Sequence, residues 1–159
     1  GFSEREKVAG PVWNGMVESL AEAAKFAGDH GVTLALENHG GIASDAKDMQ
    51  AILDAVGSSH LKLNFDPANF VHAGEDCIKA FRQLKAQTVY VHLIDVRKDA
   101  SGNLESGAAG DGLIDWKTLL PLVEASYNGV SSIEYEDAAD PVDGTKRSLA
   151  FIKTIAKTK

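Results

Sequence analysis

Cysteine, proline and long apolar runs are all scarce in this chain of 159 residues, which has one cysteine and four prolines. The single Cys77 excludes an internal disulfide and fits a reducing compartment. Its setting predicts a buried, inert side chain on a helix. A bilayer span needs about 20 consecutive apolar residues, and no run approaches that length. The opening GFSEREK (1–7) lacks the apolar core of a signal peptide, so a soluble, cytoplasmic protein is expected. Basic residues are also few: 16 Lys and Arg face 23 Asp and Glu, the net charge is −7, and no basic cluster is longer than Lys146-Arg147. That field opposes a phosphate backbone, so neither nucleic acid nor a membrane is an expected partner. The remaining composition, 44% hydrophobic and 25% charged, is that of a globular domain with an ordinary core, expected as one unit over 1–159. The first residue is Gly rather than Met, which is compatible with a longer natural chain.

Four short apolar runs have the two-residue period of strands, in which i, i+2 and i+4 share a face. In VTLALE, Val32, Leu34 and Leu36 oppose Thr33, Ala35 and Glu37. In LKLNFD, Leu61, Leu63 and Phe65 oppose Lys62, Asn64 and Asp66; in TVYVHL, Val89, Val91 and Leu93 oppose Thr88, Tyr90 and His92. The second face thus carries a polar group at or next to the end of each run: Glu37, Asp66 and His92. The fourth, VSSIEYE, puts Glu134 and Glu136 on one face, and periodicity alone does not choose between them. A lone strand-end carboxylate is commonly just solvated, but four such groups in step predict one shared site.

Helical patterns separate these runs. Val12, Met16, Leu20, Ala24 and Ala27 form a stripe from Pro11 to His30 that Gly31 ends. Ser44 is expected to cap a second helix, with Met49, Ile52, Leu53 and Val56 inside and Gly57 at its end. A third, from Glu75 to Lys85, buries Ile78, Phe81 and Leu84, and a fourth follows Asp115 with Trp116, Leu119, Leu120 and Val123. In that fourth helix Pro121 is tolerable only near the start or as a kink. The last follows Asp140-Pro141 with Val142, Leu149, Ile152 and Ile155.

A helix followed by four βα units, each about 30 to 40 residues long, predicts a parallel α/β sheet. Central strands of an open doubly wound sheet are apolar on both faces, whereas here one face carries Lys62, Asn64, Asp66, Tyr90, His92 and Glu134. A polar inner face with functional groups at carboxyl strand ends belongs to a (β/α) barrel of the TIM type. Four units make a half-barrel with two open edges, a hazard that proteins cover. The expected cover is a second copy in a homo-oligomer or a missing N-terminal half-barrel.

Carboxylates with one imidazole suit Mn²⁺, Mg²⁺, Co²⁺ or Zn²⁺ rather than thiolate-seeking ions. Such an ion polarises a carbonyl and stabilises an enediolate, while Glu37 and Glu134 can act as both ligands and acid/base groups. That is isomerase or epimerase chemistry. The Gly-rich segment IDVRKDASGNLESGAAGDGLID after His92 reads as a long functional loop, and its Arg97 is a candidate for a substrate hydroxyl or phosphate. Asn69 and His39 are further candidate substrate contacts, although Asn69 after Asp66-Pro67 also suits a plain turn. His30, His60 and His72 read as bystanders, Trp13 and Trp116 as packing residues, and Gly110-Asp111-Gly112 as a turn rather than a phosphate loop.

ALENHGG (35–41), LNFDPANF (63–70), VYVHLIDVR (89–97), GDGLIDW (110–116) and SIEYE (132–136) together resemble the xylose isomerase-like TIM-barrel superfamily. That superfamily holds sugar isomerases, ketose epimerases, inosose dehydratases and endonuclease IV. The resemblance spans nearly the whole chain and implies its C-terminal half-barrel, with Glu37, Asp66, His92 and Glu134 matching the metal ligands of strands five to eight. It favours Glu134 over Glu136. Asn69 stands where many members carry histidine, which, with the negative charge, points away from endonuclease IV. The expected activity is a metal-dependent isomerase or epimerase for a sugar or sugar phosphate. The alternatives are an inosose dehydratase-like lyase and a non-catalytic, self-associating half-barrel that binds metal or a polyol.

Overall fold

Runs of Leu, Val, Ile and Phe bounded by Gly, Asn or Asp become strands, and the longer 3.6-periodic stretches between them become helices. The computed structural model describes residues 10–137 and 140–156; the opening GFSEREK lies outside them. In chain order the elements are α1 (Pro11–Asp29), β1 (Leu34–Glu37), a 3-10 turn (Gly41–Ala43), α2 (Ala46–Val56), β2 (Leu61–Phe65), α3 (Pro67–His72), α4 (Cys77–Leu84), β3 (Thr88–Leu93), β4 (Asp95–Lys98), β5 (Leu104–Gly107), α5 (Trp116–Ser126), β6 (Val130–Ile133) and α6 (Pro141–Ile155). None of these helices is long and apolar enough to cross a membrane.

The strands β1, β2, β3 and β6 form one parallel sheet in that spatial order. Chain order and spatial order agree along this sheet, without the reversal that makes the switch point of a doubly wound fold. This is the arrangement of half a (β/α)-barrel. The sheet does not close, and β1 and β6 each keep one edge without a neighbour among the described residues. Leu63, Phe65, Val91 and Leu93 turn toward the helices and share one core with Met49, Ile52, Phe81, Leu84, Trp116 and Leu119. The opposite face carries the functional groups.

Several local expectations change. The inner stripe of α1 keeps Met16, Leu20, Ala24 and Ala27 but changes at its first member: Val12 is 55% exposed and Trp13 is buried in its place. The indole's larger apolar surface decides which face turns inward. Asp45, rather than Ser44, caps α2, its Oδ1 accepting the Asp48 N–H at 2.7 Å. Ser44 instead donates to the Gly41 carbonyl at 3.1 Å. In α6, Val142 and Leu149 are exposed, and Gly144, Ser148 and Ile152 are the buried positions. Small residues are needed there because the Tyr135 ring lies 2.1 Å from where a Cβ on Gly144 would stand. The stretch after Asp66 is a helix rather than a turn, since Asp66 caps α3 and Pro67 opens it. Helix α5 runs through Pro121.

The expected long loop after His92 is structured. Strands β4 and β5 pair as an antiparallel hairpin, and the fully buried Asp95 organises the chain from that hairpin to α5. Its carboxylate accepts the N–H groups of Val96 (2.8 Å), Gly110 (2.9 Å), Gly112 (3.3 Å) and Ile114 (3.1 Å), and the indole N–H of Trp116 (2.9 Å). Five convergent donors solvate the anion in place of water. A Cβ on Gly112 would lie 2.3 Å from both Asp95 Oδ1 and the Val96 carbonyl, so this glycine permits the close approach.

Replacing Asp95 by alanine leaves these donors without their acceptor, and urea denaturation is expected to register a loss of about 3 kcal/mol or more. Gly112→Ala should cost about 1–3 kcal/mol by overpacking. Cys77 is buried on α4, and that burial pushes its thiol up to about 12. A thiol-specific reagent at neutral pH should therefore leave it unmodified until the chain is unfolded; rapid labelling of the native protein would contradict this packing.

Candidate metal centre

The parallel ladder sets the spacing of the site. Glu37 is the last residue of β1 and pairs in register with Asn64 of β2. Asp66 follows β2 directly, its position held by Asn38, which accepts the Asp66 N–H at 2.9 Å and donates to the Asp66 carbonyl at 2.9 Å. His92 lies in β3 beside Ser132. Glu134 follows β6, its N–H directed to the Leu93 carbonyl at 3.3 Å. Neighbouring parallel strands lie about 4.8 Å apart, so residues at adjacent strand ends are delivered to one place.

Glu37, Asp66, His92 and Glu134 each offer a ligand atom within 4.8 Å of the others. His92 Nδ1 stands at the centre, 2.5 Å from Glu134 Oε2, 3.5 Å from Asp66 Oδ2 and 3.9 Å from Glu37 Oε1. Glu134 and Glu136 part company here. Glu136 is exposed and accepts the Ser106 hydroxyl at 2.5 Å on the hairpin.

The supporting contacts divide the work of each carboxylate. Asp66 uses Oδ1 to cap α3, accepting the Asn69 N–H at 2.9 Å, and presents Oδ2 to His92. Asn69 Nδ2 donates to Glu37 Oε1 at 3.1 Å, so the structure directs this residue, expected at a substrate, onto a site carboxylate. Arg97 contacts Glu105 at 2.8 Å and Asp137 at 3.4 Å. His39 is exposed two residues beyond Glu37. Sequence reading passed over Asn38, whose only signal is its place next to Glu37, and over Asp95, whose signal is its place three residues after His92.

Titration follows from these contacts. The Asp66 carboxylate, then those of Glu134 and Glu37, hold the His92 imidazole above its ordinary range, against the opposing effect of burial. Burial pushes Glu134 upward, and the neighbouring Asp66, Glu37 and Glu136 charges add to it while His92 opposes. Three carboxylates facing one imidazole therefore form an anionic pocket that a cation would relieve. Buried His92 Nδ1 points the same way, for it has no hydrogen bond of acceptable geometry among the described residues despite its close carboxylates. An oxygen-rich set with one imidazole nitrogen matches the donors preferred by hard to borderline divalent ions.

A sequence profile described as xylose isomerase-like TIM barrel matches residues 1–155. This chain belongs to that family. Among curated relatives, an inosose dehydratase of Mesomycoplasma hyopneumoniae (strain 7448) is 23% identical over 174 residues, covering 97% of this chain and 58% of that protein. Among solved structures, that of L-ribulose 3-epimerase superposes with a TM-score of 0.73 at 23% identity, covering 89% of this chain and 53% of the other. A xylose isomerase-like TIM-barrel protein from Mycobacterium smegmatis, in complex with magnesium, gives a TM-score of 0.73 at 17% identity over 97% of this chain and 51% of its own. The chain thus spans a little over half the length of the curated relatives it matches.

A divalent ion entering the cluster must displace the protons that His92 and Glu134 hold more tightly than usual. Its affinity should rise as pH rises and fall on acidification from about pH 8 to about pH 5. Calorimetric titration of Mn²⁺ into the protein would check this, and an affinity independent of pH would be incompatible with these ligands.

Proposed function

We propose that this family member supplies the metal-binding half of an enzyme that moves a proton on the carbon beside a carbonyl of a sugar or polyol, as isomerases and epimerases do. The observation that carries this reading is the pair of carboxylates, Glu37 and Glu134, brought with Asp66 and His92 into one cluster at the strand ends. The four residues would hold Mn²⁺, Mg²⁺, Co²⁺ or Zn²⁺, which when bound supplies Lewis-acid polarisation of a carbonyl. Glu134, whose carboxyl burial pushes upward, is suited to accept the proton by Brønsted reasoning. Asn69 holds Glu37 Oε1 in place for the complementary transfer. The epimerase and the magnesium complex among the structural neighbours support this class of chemistry.

Where the hairpin meets the segment that follows Glu134, Glu105, Ser106, Glu136 and Asp137 line a cavity of about 380 Å³. Arg97, on the same hairpin, already meets two of these lining residues, Glu105 and Asp137, so its charge is offset before a ligand arrives. Such a wall suits the hydroxyl groups of an uncharged sugar better than a phosphate, with His39, exposed two residues beyond Glu37, as a further candidate contact. The edges of β1 and β6, without a neighbour among the described residues, call for cover by a second copy or by four more βα units.

A second reading is a dehydratase, in which loss of the same proton is followed by expulsion of hydroxide. The inosose dehydratase relatives favour it. Product mass separates the two, because dehydration removes water and isomerisation leaves mass unchanged. Metal analysis of protein purified without chelator should find near-stoichiometric divalent ion; a protein that neither carries nor takes up such an ion would sink both readings. Glu134→Gln is expected to lower turnover by about 100-fold or more. Glu136→Gln should act mainly on KM and leave metal content intact, so equal loss of metal in both variants would refute the assignment.

A further inference from the structure

The amide of Asn64 is joined to the candidate centre through the far side of the imidazole. Its Nδ2 lies 3.1 Å from His92 Nε2, and the residue is almost fully buried. In that orientation the amide donates to Nε2, which places the ring proton on Nδ1, facing the carboxylates. Asn64 Oδ1 is then left without a hydrogen bond among the described residues, and His92 Nδ1 makes none of acceptable geometry although Glu134 Oε2 lies 2.5 Å away. A half-turn of the amide exchanges Oδ1 and Nδ2 without altering the side chain's shape. Oδ1 would then accept a hydrogen bond from Nε2–H, and the Nδ1 lone pair would face the three carboxylate oxygens. A cation among those oxygens completes Nδ1, so one rotation and one ion satisfy both orphaned atoms.

We infer that Asn64 is a positioning residue that selects the Nε2–H tautomer of His92 and so exposes Nδ1 as the metal-binding nitrogen. The inference rests on the metal-centre reading above and adds a residue to it. Its physical basis is general: an imidazole ligand needs its second nitrogen fixed by a hydrogen-bond acceptor, and loss of that acceptor commonly costs 10- to 100-fold in affinity. The strand register supplies the contact. An irregularity between Leu63 and Asn64 sets Asn64 opposite Tyr90 in β3, within reach of the His92 ring. The other flank of that ring is taken by Tyr90, whose ring meets it edge-on with centroids 5.7 Å apart.

Nitrogen-15 NMR of the intact chain with and without Zn²⁺ tests the inference directly, because protonated and metal-bound imidazole nitrogens are resolved from each other. The expected result is a protonated Nε2 and a Zn²⁺-bound Nδ1 in the loaded protein. Calorimetry should show Zn²⁺ affinity reduced by about tenfold or more in Asn64→Leu, which has no acceptor, and kept within about threefold in Asn64→Asp, which has one. Zn²⁺ bound through Nε2, or an Asn64→Leu affinity within about threefold of the parent, overturns the role of Asn64 while leaving the metal centre standing. No Zn²⁺ uptake by the parent chain overturns both. Should Asn64→Leu fail to fold, the spectrum of the parent chain decides alone.

Discussion

The molecule's central constraint is like-charge repulsion among three carboxylates delivered to one place by a parallel ladder. Two unit charges about 4 Å apart repel by about 4 kcal/mol at the effective dielectric of a protein surface. Glu37, Asp66 and Glu134 each bring an oxygen within 4.8 Å of the others, so they stay together only because the backbone leaves little choice. Each terminates or follows a strand whose neighbours are hydrogen-bonded on the sheet. The apolar faces of those strands are locked under α2, α4 and α5 by Leu63, Phe65, Val91 and Leu93. The fold holds the charges, and His92 partly relieves them.

The polar residues around the centre follow from the same constraint. Every oxygen given a second task has less freedom to swing away. Asp66 is pinned by a helix cap and by both backbone bonds from Asn38. Glu37 is pinned by Asn69. Asp95, next along the chain after β3, uses its buried charge to organise a hairpin rather than a ligand site. Through that hairpin, Arg97 and Ser106 reach the segment after β6, so the wall of the cavity is tied to the segment that carries Glu134. A rigid frame of this kind is what acid/base groups require, since proton transfer depends on placement within hydrogen-bond reach.

Much of this was legible in the chain. The period-2 alternation in LKLNFD and TVYVHL placed Asp66 and His92 on the face opposite the helices, and the family motifs matched along nearly its whole length. The errors lie where periodicity gives equal weight to residues that packing treats unequally. Trp13 displaced Val12 from the inner face because an indole buries more area. Leu149 yielded to Ser148 and Gly144 where α6 meets Tyr135 and the Ala109 N–H. The segment after His92 looked unstructured because its organiser, Asp95, acts on donors 15 to 21 residues away.

The order of strands and helices, the polar inner face and the places of Glu37, Asp66 and His92 on it are local properties, written in spacing and alternation that single stretches of this chain carry by themselves. Separating Glu134 from Glu136, turning Asn69 onto Glu37, neutralising Arg97 with Glu105 and Asp137, and setting Asn64 against His92 belong to the tertiary structure. These are contacts between residues on different strands, and they depend on ladder register and side-chain direction, which no one segment of the sequence contains.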